Sequence, residues 1–164
     1  MKRVEVTDLK RFFDLSRKER KGCNEDGVLH LLYLGRKHPL KGVKYLEVAG
    51  RQIQDSTRSI CPMRFKIDLR IVSNAFGEEK ERVWDWCDVL VLPTLSENFG
   101  RVVAEALERG KRVITTDGAP AWGDGNDYGG RLIYLRGYRD GSTDDRVRLL
   151  KEAITSLMNM SERQ

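Results

Sequence analysis

Asp88-Val89-Leu90-Val91-Leu92-Pro93-Thr94-Leu95-Ser96-Glu97-Asn98-Phe99-Gly100-Arg101-Val102-Val103-Ala104-Glu105-Ala106-Leu107 reads as a strand, a loop and a helix in immediate succession. The apolar run at 88–92 has strand length, and Pro93, which cannot donate to a sheet ladder, closes it. Beyond the loop, Val102, Val103, Ala106 and Leu107 recur at helical spacing, and Gly110 supplies a stop signal. Glu97 therefore stands at the mouth of a helix, whose first N–H groups lack intrahelical partners and attract anions. With the intervening chain mostly helical, Glu105 lies roughly 12 Å further along, at about 1.5 Å per residue. Carboxylates at both positions suit the binding of hydroxyl groups, since each accepts two hydrogen bonds at once. Two plainer roles stand beside that one. Glu105 is four residues from both Arg101 and Arg109, the spacing of helix-surface ion pairs, and Glu97 can complement the helix dipole.

A second patch lies upstream. Val28-Leu29-His30-Leu31-Leu32-Tyr33-Leu34 is an almost continuous apolar run, as expected of a parallel strand buried on both faces. It leads into Gly35-Arg36-Lys37-His38-Pro39-Leu40-Lys41-Gly42, and the next helical pattern begins near Lys41 or Gly42. Arg36, Lys37, His38 and Lys41 thus crowd a helix N-terminus, where positive charge is unfavourable. A bound anion would relieve the conflict, and Arg and Lys are the usual phosphate partners. Gly35 carries no side chain to block a close approach. The plainer alternative is a solvated basic loop. His38 reads as a polar contact rather than a catalyst, and His30 as a satisfied core histidine.

Strand-like runs fall at 28–34, 67–72, 88–92, 111–115 and 131–135, with helical patterns near 42–53, 77–86, 100–109 and 143–158. Tyr45 to Gly50 could itself form a strand, but its place just after Lys41-Gly42 favours helix. This alternation implies a Rossmann-like three-layer α/β/α domain with a mostly parallel sheet of about five strands and right-handed crossovers. Ligands of such sheets bind at the carboxyl ends of the strands. Arg36 and Glu97 both follow strand ends, so they can share one crevice.

A chain of 164 residues with 40% hydrophobic content supports one domain, taken as 23–164. No run approaches the 18 apolar residues of a membrane span, and the N-terminus lacks a signal-peptide apolar core. Three cysteines, an odd number, point to a reducing compartment, hence to the cytoplasm. The net charge of +5 is uneven: residues 1–21 hold eight Lys/Arg against four Asp/Glu, interleaved with Leu9, Phe12, Phe13 and Leu15 behind Thr7 as N-cap. This basic amphipathic segment, 1–22, can rest on an anionic membrane surface, dock on a partner, or pack its phenylalanines on the domain. No nucleic-acid module accompanies it.

Several chemistries are excluded. There is no G-x-x-x-x-G-K-[ST] loop, no G-x-G-x-x-G fingerprint and no G-x-S-x-G elbow. Cys23, Cys61 and Cys87 lack the spacing and the His partners of a zinc site. Asp124-Gly125-Asn126 hints at a calcium loop, but Leu135 stands where its glutamate would be needed. A site with no metal and no cofactor is expected.

The stretch from Pro93 to Leu107 resembles the donor-site signature of the retaining glycosyltransferases of family four, which have the GT-B fold: two glutamates with seven residues between them, enclosing Asn98-Phe99-Gly100. The resemblance runs on into Lys111-Arg112-Val113-Ile114-Thr115-Thr116-Asp117-Gly118, and back through Phe76-Gly77-Glu78-Glu79-Lys80. Leu34 to Gly42 looks like the same family's phosphate-contacting loop. Together the similarity covers roughly residues 28 to 160, weakest from about 50 to 66.

The resemblance implies the C-terminal, donor-binding half of a GT-B enzyme, with a nucleotide-diphosphate sugar as donor. It gives Glu97 the transferred sugar, together with Asn98, Phe99 and Gly100, and gives Glu105 the ribose. Gly35, Arg36 and Lys41 fall to the diphosphate, and Ser73 and Asn74 to the vicinity of the base. Ser73-Asn74-Ala75 departs from the more apolar, glycine-containing turn usual there. The short segment between the helix at 42–53 and the strand at 67–72 implies that one strand–helix unit of the usual domain is missing. Transfer would go, with retention, to a glycan or glycolipid acceptor, lipopolysaccharide among them. The acceptor domain is expected in a missing N-terminal part or a partner chain, and no catalytic group is assigned in this chain. Two other readings stand beside this: a non-catalytic nucleotide-sugar module or subunit of a split enzyme, and a polyanion- or nucleic-acid-binding domain working through its basic N-terminus.

Overall fold

Val28–Leu34 forms strand β1, and its apolar character follows from its position: Leu31, Leu32 and Tyr33 have no exposed surface. The computed structural model, which describes residues 27–60 and 66–160, sets four more strands around it. They are β2 (Lys66–Val72), β3 (Val89–Leu92), β4 (Arg112–Thr116) and β5 (Leu132–Leu135). The order is β2-β1-β3-β4-β5, and every pair is parallel, where the sequence implied only a mostly parallel sheet. The central strand β3 is buried throughout, whereas the edge strand β2 tolerates Lys66, Asp68 and Arg70 because, among the described residues, one flank meets no partner strand.

The helices are α1 (Val43–Ile60), α2 (Gly77–Trp86), α3 (Arg101–Glu108) and α4 (Thr143–Met160). Helix α1 packs on α4, while α2 and α3 are tied to each other by Lys80–Glu105 and Glu81–Arg109 ion pairs. The result is the expected Rossmann-like α/β fold. One hydrophobic cluster spans it, from Leu46 and Ala49 of α1 through the sheet to Val103, Ala106 and Leu107 of α3. No helix separates β4 from β5. A 3-10 turn at Pro120–Trp122 and a glycine-bearing loop make that connection.

All five strands and all four helices fall where the sequence placed them. Most boundaries agree to within two residues; the larger differences are at α1. Helix α1 runs on to Ile60 rather than ending near 53, and it holds Tyr45 to Gly50 as helix. At its start, Pro39–Lys41 forms a 3-10 turn and Gly42 takes a left-handed conformation, φ 66°, so the α-helix begins only at Val43. The segment 1–22, Cys23 and Cys61 lie outside the described residues. Cys87 is buried, and burial pushes its thiol up to about 12. Among the described residues, no helix is long and apolar enough to cross a membrane.

The chain leaves β1 sideways to β2, then returns across β1 to reach β3 on the other side. The loops after β1 and β3 therefore diverge over a switch point, where doubly wound sheets open a crevice.

Candidate donor-binding site

The two loops at the switch point are bound together by backbone. Leu40 O accepts Leu95 N at 2.7 Å and Thr94 Oγ1 at 3.2 Å. Gly42 makes this approach possible: a Cβ there would collide with the Pro93 carbonyl and sit 3.1 Å from the Tyr138 hydroxyl. On the opposite side of the β3 loop, Gly118 meets the Thr94 carbonyl just as closely, and Thr116 Oγ1 donates to that same oxygen. Glu97 N then donates to Gly118 O at 2.8 Å. Loops after β1, β3 and β4 thus form one cross-linked rim.

On that rim the two sequence patches meet. Lys41 Nζ and Glu97 Oε2 form an ion pair, about a fifth of each side chain being exposed, and Ser96 O lies 3.5 Å from the same ammonium. Arg36, Lys37, His38, Leu40, Lys41 and Ser96 line one groove of about 420 Å³. The Arg36 and Lys37 side chains project into solvent and have no ion-pair partner among the described residues. His38 serves the loop itself, its Nδ1 accepting Leu40 N at 3.2 Å as the cap of the 3-10 turn. Gly35 has a positive φ of 157°, with Tyr33 beneath it: a Cβ would lie 3.2 Å from the hydroxyl, which donates to Arg36 O at 2.7 Å. Burial, reinforced by the Glu97 carboxylate and partly offset by Arg36, pushes that phenol up to about 12. Tyr33 is therefore a fixed hydrogen-bonding floor, not an acid.

The segment Asn98-Phe99-Gly100 is held from behind. Trp122, almost wholly buried, donates from Nε1 to Phe99 O at 2.5 Å and packs on the Phe99 ring at a centroid distance of 5.4 Å. Gly100 is left-handed, φ 73°, and turns the chain into α3. Asn98 is exposed. Glu97 accordingly sits on a loop four residues before Arg101, the first residue of α3, rather than in its first turn.

Glu105 is on the second turn of α3. Its partner is Lys80 of α2, 2.7 Å from Oε2, and not Arg101 or Arg109, the partners that helical spacing suggested. Arg109 reaches Glu81 instead, at 2.7 Å, and stacks toward Trp84. The buried Oε2 has this charge partner without an aligned hydrogen bond, while about a third of the side chain remains accessible. Glu105 is thus steadied from one side and available from the other. Ser73 and Asn74 follow β2 on the same rim, ahead of α2.

The sequence did not single out Lys80, Trp122, Thr94 or Ser96 as parts of this region. Lys80 lies in a stretch that carries the resemblance, but no local spacing tied it to Glu105, because the contact crosses from one helix to another. Trp122 was flagged by nothing beyond its size and its position two residues after Pro120. His30 behaves as expected: it stacks on Trp86 at 4.6 Å and lies 3.5 Å from Asp88.

Residues 29–134, well over half of the chain, match the family described as Glycosyl transferases group 1. No curated protein matches. Among solved structures the chain is similar to the C-terminal domain of a glycosyl transferase group 1 family protein (LpcC) from Francisella tularensis, at 17% identity and a TM-score of 0.48, covering 79% of this chain and 78% of that one. On the strength of the family match, the chain belongs to the group 1 glycosyl transferases.

Proposed function

We propose that this chain is the donor-binding half of a retaining GT-B glycosyltransferase and holds a nucleotide-diphosphate sugar across the β1/β3 switch point. The observation that carries the reading is the Lys41–Glu97 pair. It brings the basic loop after β1 and the acidic loop after β3 to one spot, although 56 residues separate them in sequence. Arg36 and Lys41 hold the diphosphate and neutralise charge as it departs, a purely electrostatic service that requires no metal from this site. Gly35 leaves room for the phosphates. Glu97, with Asn98, Phe99 and Gly100, orients the sugar, and Glu105, braced by Lys80, takes the ribose hydroxyls.

The acceptor, a glycan or glycolipid, is met by a second domain, in cis or in trans, with peripheral membrane contact through residues 1–21. No residue of this chain is assigned as general base or nucleophile. Calorimetric titration with UDP-, GDP- and ADP-sugars tests the reading. One of these families should bind, and binding should survive a chelator. Failure of every nucleotide sugar to bind overturns it.

A further inference from the structure

Strand β2 ends the sheet on one side, and its outer flank meets no strand among the described residues. Lys66 N donates to Gly27 O and Val72 O accepts Gly35 N, so the even-numbered residues of β2 turn their backbone groups toward β1. Successive residues of a strand turn these groups to opposite sides, and Ile67, Leu69 and Ile71 therefore present theirs outward. Ile67 O is met there by Gln54 Nε2 of α1, at 3.2 Å, and a carbonyl keeps a second lone pair. Helix α1 lies close under these residues: a Cβ on Gly50 would stand 3.3 Å from Leu69 Cδ2. A groove of about 370 Å³ follows the edge, its lining including Glu47, Gly50, Gln54, Leu69 and Ile71. Leu69 and Ile71 are left half-buried in it. Lys66, Asp68 and Arg70 occupy the opposite face of the strand. The Arg70 guanidinium lies over the Trp86 ring at 3.9 Å and is 3.8 Å from Asp68, both side chains about half exposed. So long and open an ion pair contributes little, and leaves both charges available.

We infer that the outer edge of β2 is a self-association surface, on which a second copy of this chain lays its own β2 antiparallel about a two-fold axis at Leu69. Charge decides the occupant and the register together. With Leu69 opposite Leu69, Asp68 stands directly opposite the partner's Arg70 and Arg70 opposite the partner's Asp68, while Ile67 meets the partner's Ile71. Slipping by two residues either way sets Arg70 against Arg70 or Asp68 against Asp68, and like charges directly opposite repel. The backbone agrees with the charges. In an antiparallel pair, outward-turned residues such as 67, 69 and 71 exchange hydrogen bonds with one another, and the positions between them form the closer, unbonded pairs. Asp68 and Arg70 fall on those closer positions, where opposite charges interact best. An isologous contact needs a patch that is its own complement, and the run Asp68-Leu69-Arg70 is one. Charges on an edge strand normally discourage pairing; here they discourage the slipped registers and favour this one. On the groove side, Glu47 and Arg51 flank Gly50 with opposite charges, neither of them in an ion pair among the described residues, so the α1 helices also meet with complementary signs. This inference stands apart from the donor-site reading and does not depend on it.

The test is sedimentation of the purified 164-residue chain over a concentration series, with charge exchange at the two positions. The wild type should sediment as a reversible monomer–dimer mixture, and the Leu69 and Ile71 amides should gain protection from hydrogen exchange as the dimer fills. Asp68→Arg and Arg70→Asp should each raise the dissociation constant about tenfold or more, since two attractive cross-strand pairs become repulsive. Mixed in equal amounts, these two variants should associate one to one, because their charges are then opposite again. The double exchange, Asp68→Arg with Arg70→Asp, should dimerise like the wild type. Leu69→Pro removes an N–H that faces away from β1, a position an edge strand tolerates, and should abolish the dimer while circular dichroism stays native. A wild type that remains monomeric throughout the series overturns the inference. So does a dimer that both single variants leave intact, or a mixture that associates no better than its components. Protection of the Leu69 and Ile71 amides in the monomer would show the edge already paired within its own chain, and would equally refute it.

Discussion

The proposed donor site gives Lys41 and Glu97 separate tasks, yet the two side chains bond to one another, and this sets what their substitution should do. Arg36→Ala and Lys41→Ala should each weaken nucleoside-diphosphate binding by about 1.5–3 kcal/mol, the usual worth of a charged hydrogen bond. Wild-type affinity in both variants would refute the diphosphate assignment. Glu97→Gln and Glu105→Gln should separate by ligand. Glu105→Gln should lower affinity for the free nucleotide and the nucleotide sugar alike, because both contain the ribose. Glu97→Gln should lower affinity only for the sugar-bearing form, and should leave the free nucleotide bound as well or better, since Lys41 is then released from its partner. Titrations of both variants with both ligands decide the matter. Loss of free-nucleotide affinity in Glu97→Gln would contradict it.

At the scale of elements, two short features carry disproportionate weight. Gly42 ends the 3-10 turn in a left-handed conformation with the Pro93 carbonyl where a Cβ would be. Gly42→Ala should cost about 1–3 kcal/mol for the backbone alone, and more for the collision. Because the displaced loop carries Lys41, it should also weaken donor binding, and denaturant melts paired with calorimetry would detect both effects. At the other end of the chain, Ser142 and Asp145 form a reciprocal cap on α4: Asp145 N donates to Ser142 Oγ at 3.1 Å, and Ser142 N to Asp145 Oδ2 at 3.0 Å. Ser142→Ala should cost about 1 kcal/mol in a thermal melt without changing ligand affinity. The Ser142 hydrogen bonds, backbone first and hydroxyl second, hold the Asp145 carboxyl below its usual range. Support from this cap is therefore complete above the ordinary carboxylate pKa of about 3.9, and fades as pH falls through the lower native value.

These elements were legible in the sequence because each announces itself locally. The run Val28–Leu34 is apolar along its whole length, and Val102, Val103, Ala106 and Leu107 keep the period of a helix. Contacts between elements were not legible. Nothing near Glu105 points to Lys80, and helical spacing pointed wrongly to Arg101 and Arg109, because the acid's other neighbours come from a helix that the sheet topology sets beside it. The Trp122 bond to Phe99 O was invisible for the same reason. Gly42 was read as lying near the start of a helix, and nothing in the sequence shows that Pro93 is what forbids a side chain there.

For the molecule as a whole, the proposed division of labour makes a quantitative claim. The proposed donor-site residues are concentrated on one rim of one sheet, and none of them is assigned to activate an acceptor hydroxyl. Purified chain should bind donor yet transfer sugar slowly or not at all against a mixed acceptor panel. Supplying an acceptor domain should raise transfer by orders of magnitude, since positioning of reactants can contribute roughly 7–11 kcal/mol. Robust turnover by the chain alone would show that its acceptor machinery has been misread. The core should behave as one closed unit meanwhile. The buried Cys87 thiol, pushed up to about 12, should resist alkylation at pH 8 until the protein is denatured, which mass spectrometry of the modified peptide can follow.

The pairing of Lys41 with Glu97 also bears on how a reaction cycle would finish. Once the sugar has left, the spent nucleotide no longer offers hydroxyls to Glu97, and the carboxylate is free to reclaim the ammonium from the phosphates. In the proposed site, release of the by-product would then be helped by a side chain of the protein itself, without waiting for fresh donor to push it out. A site built this way clears itself.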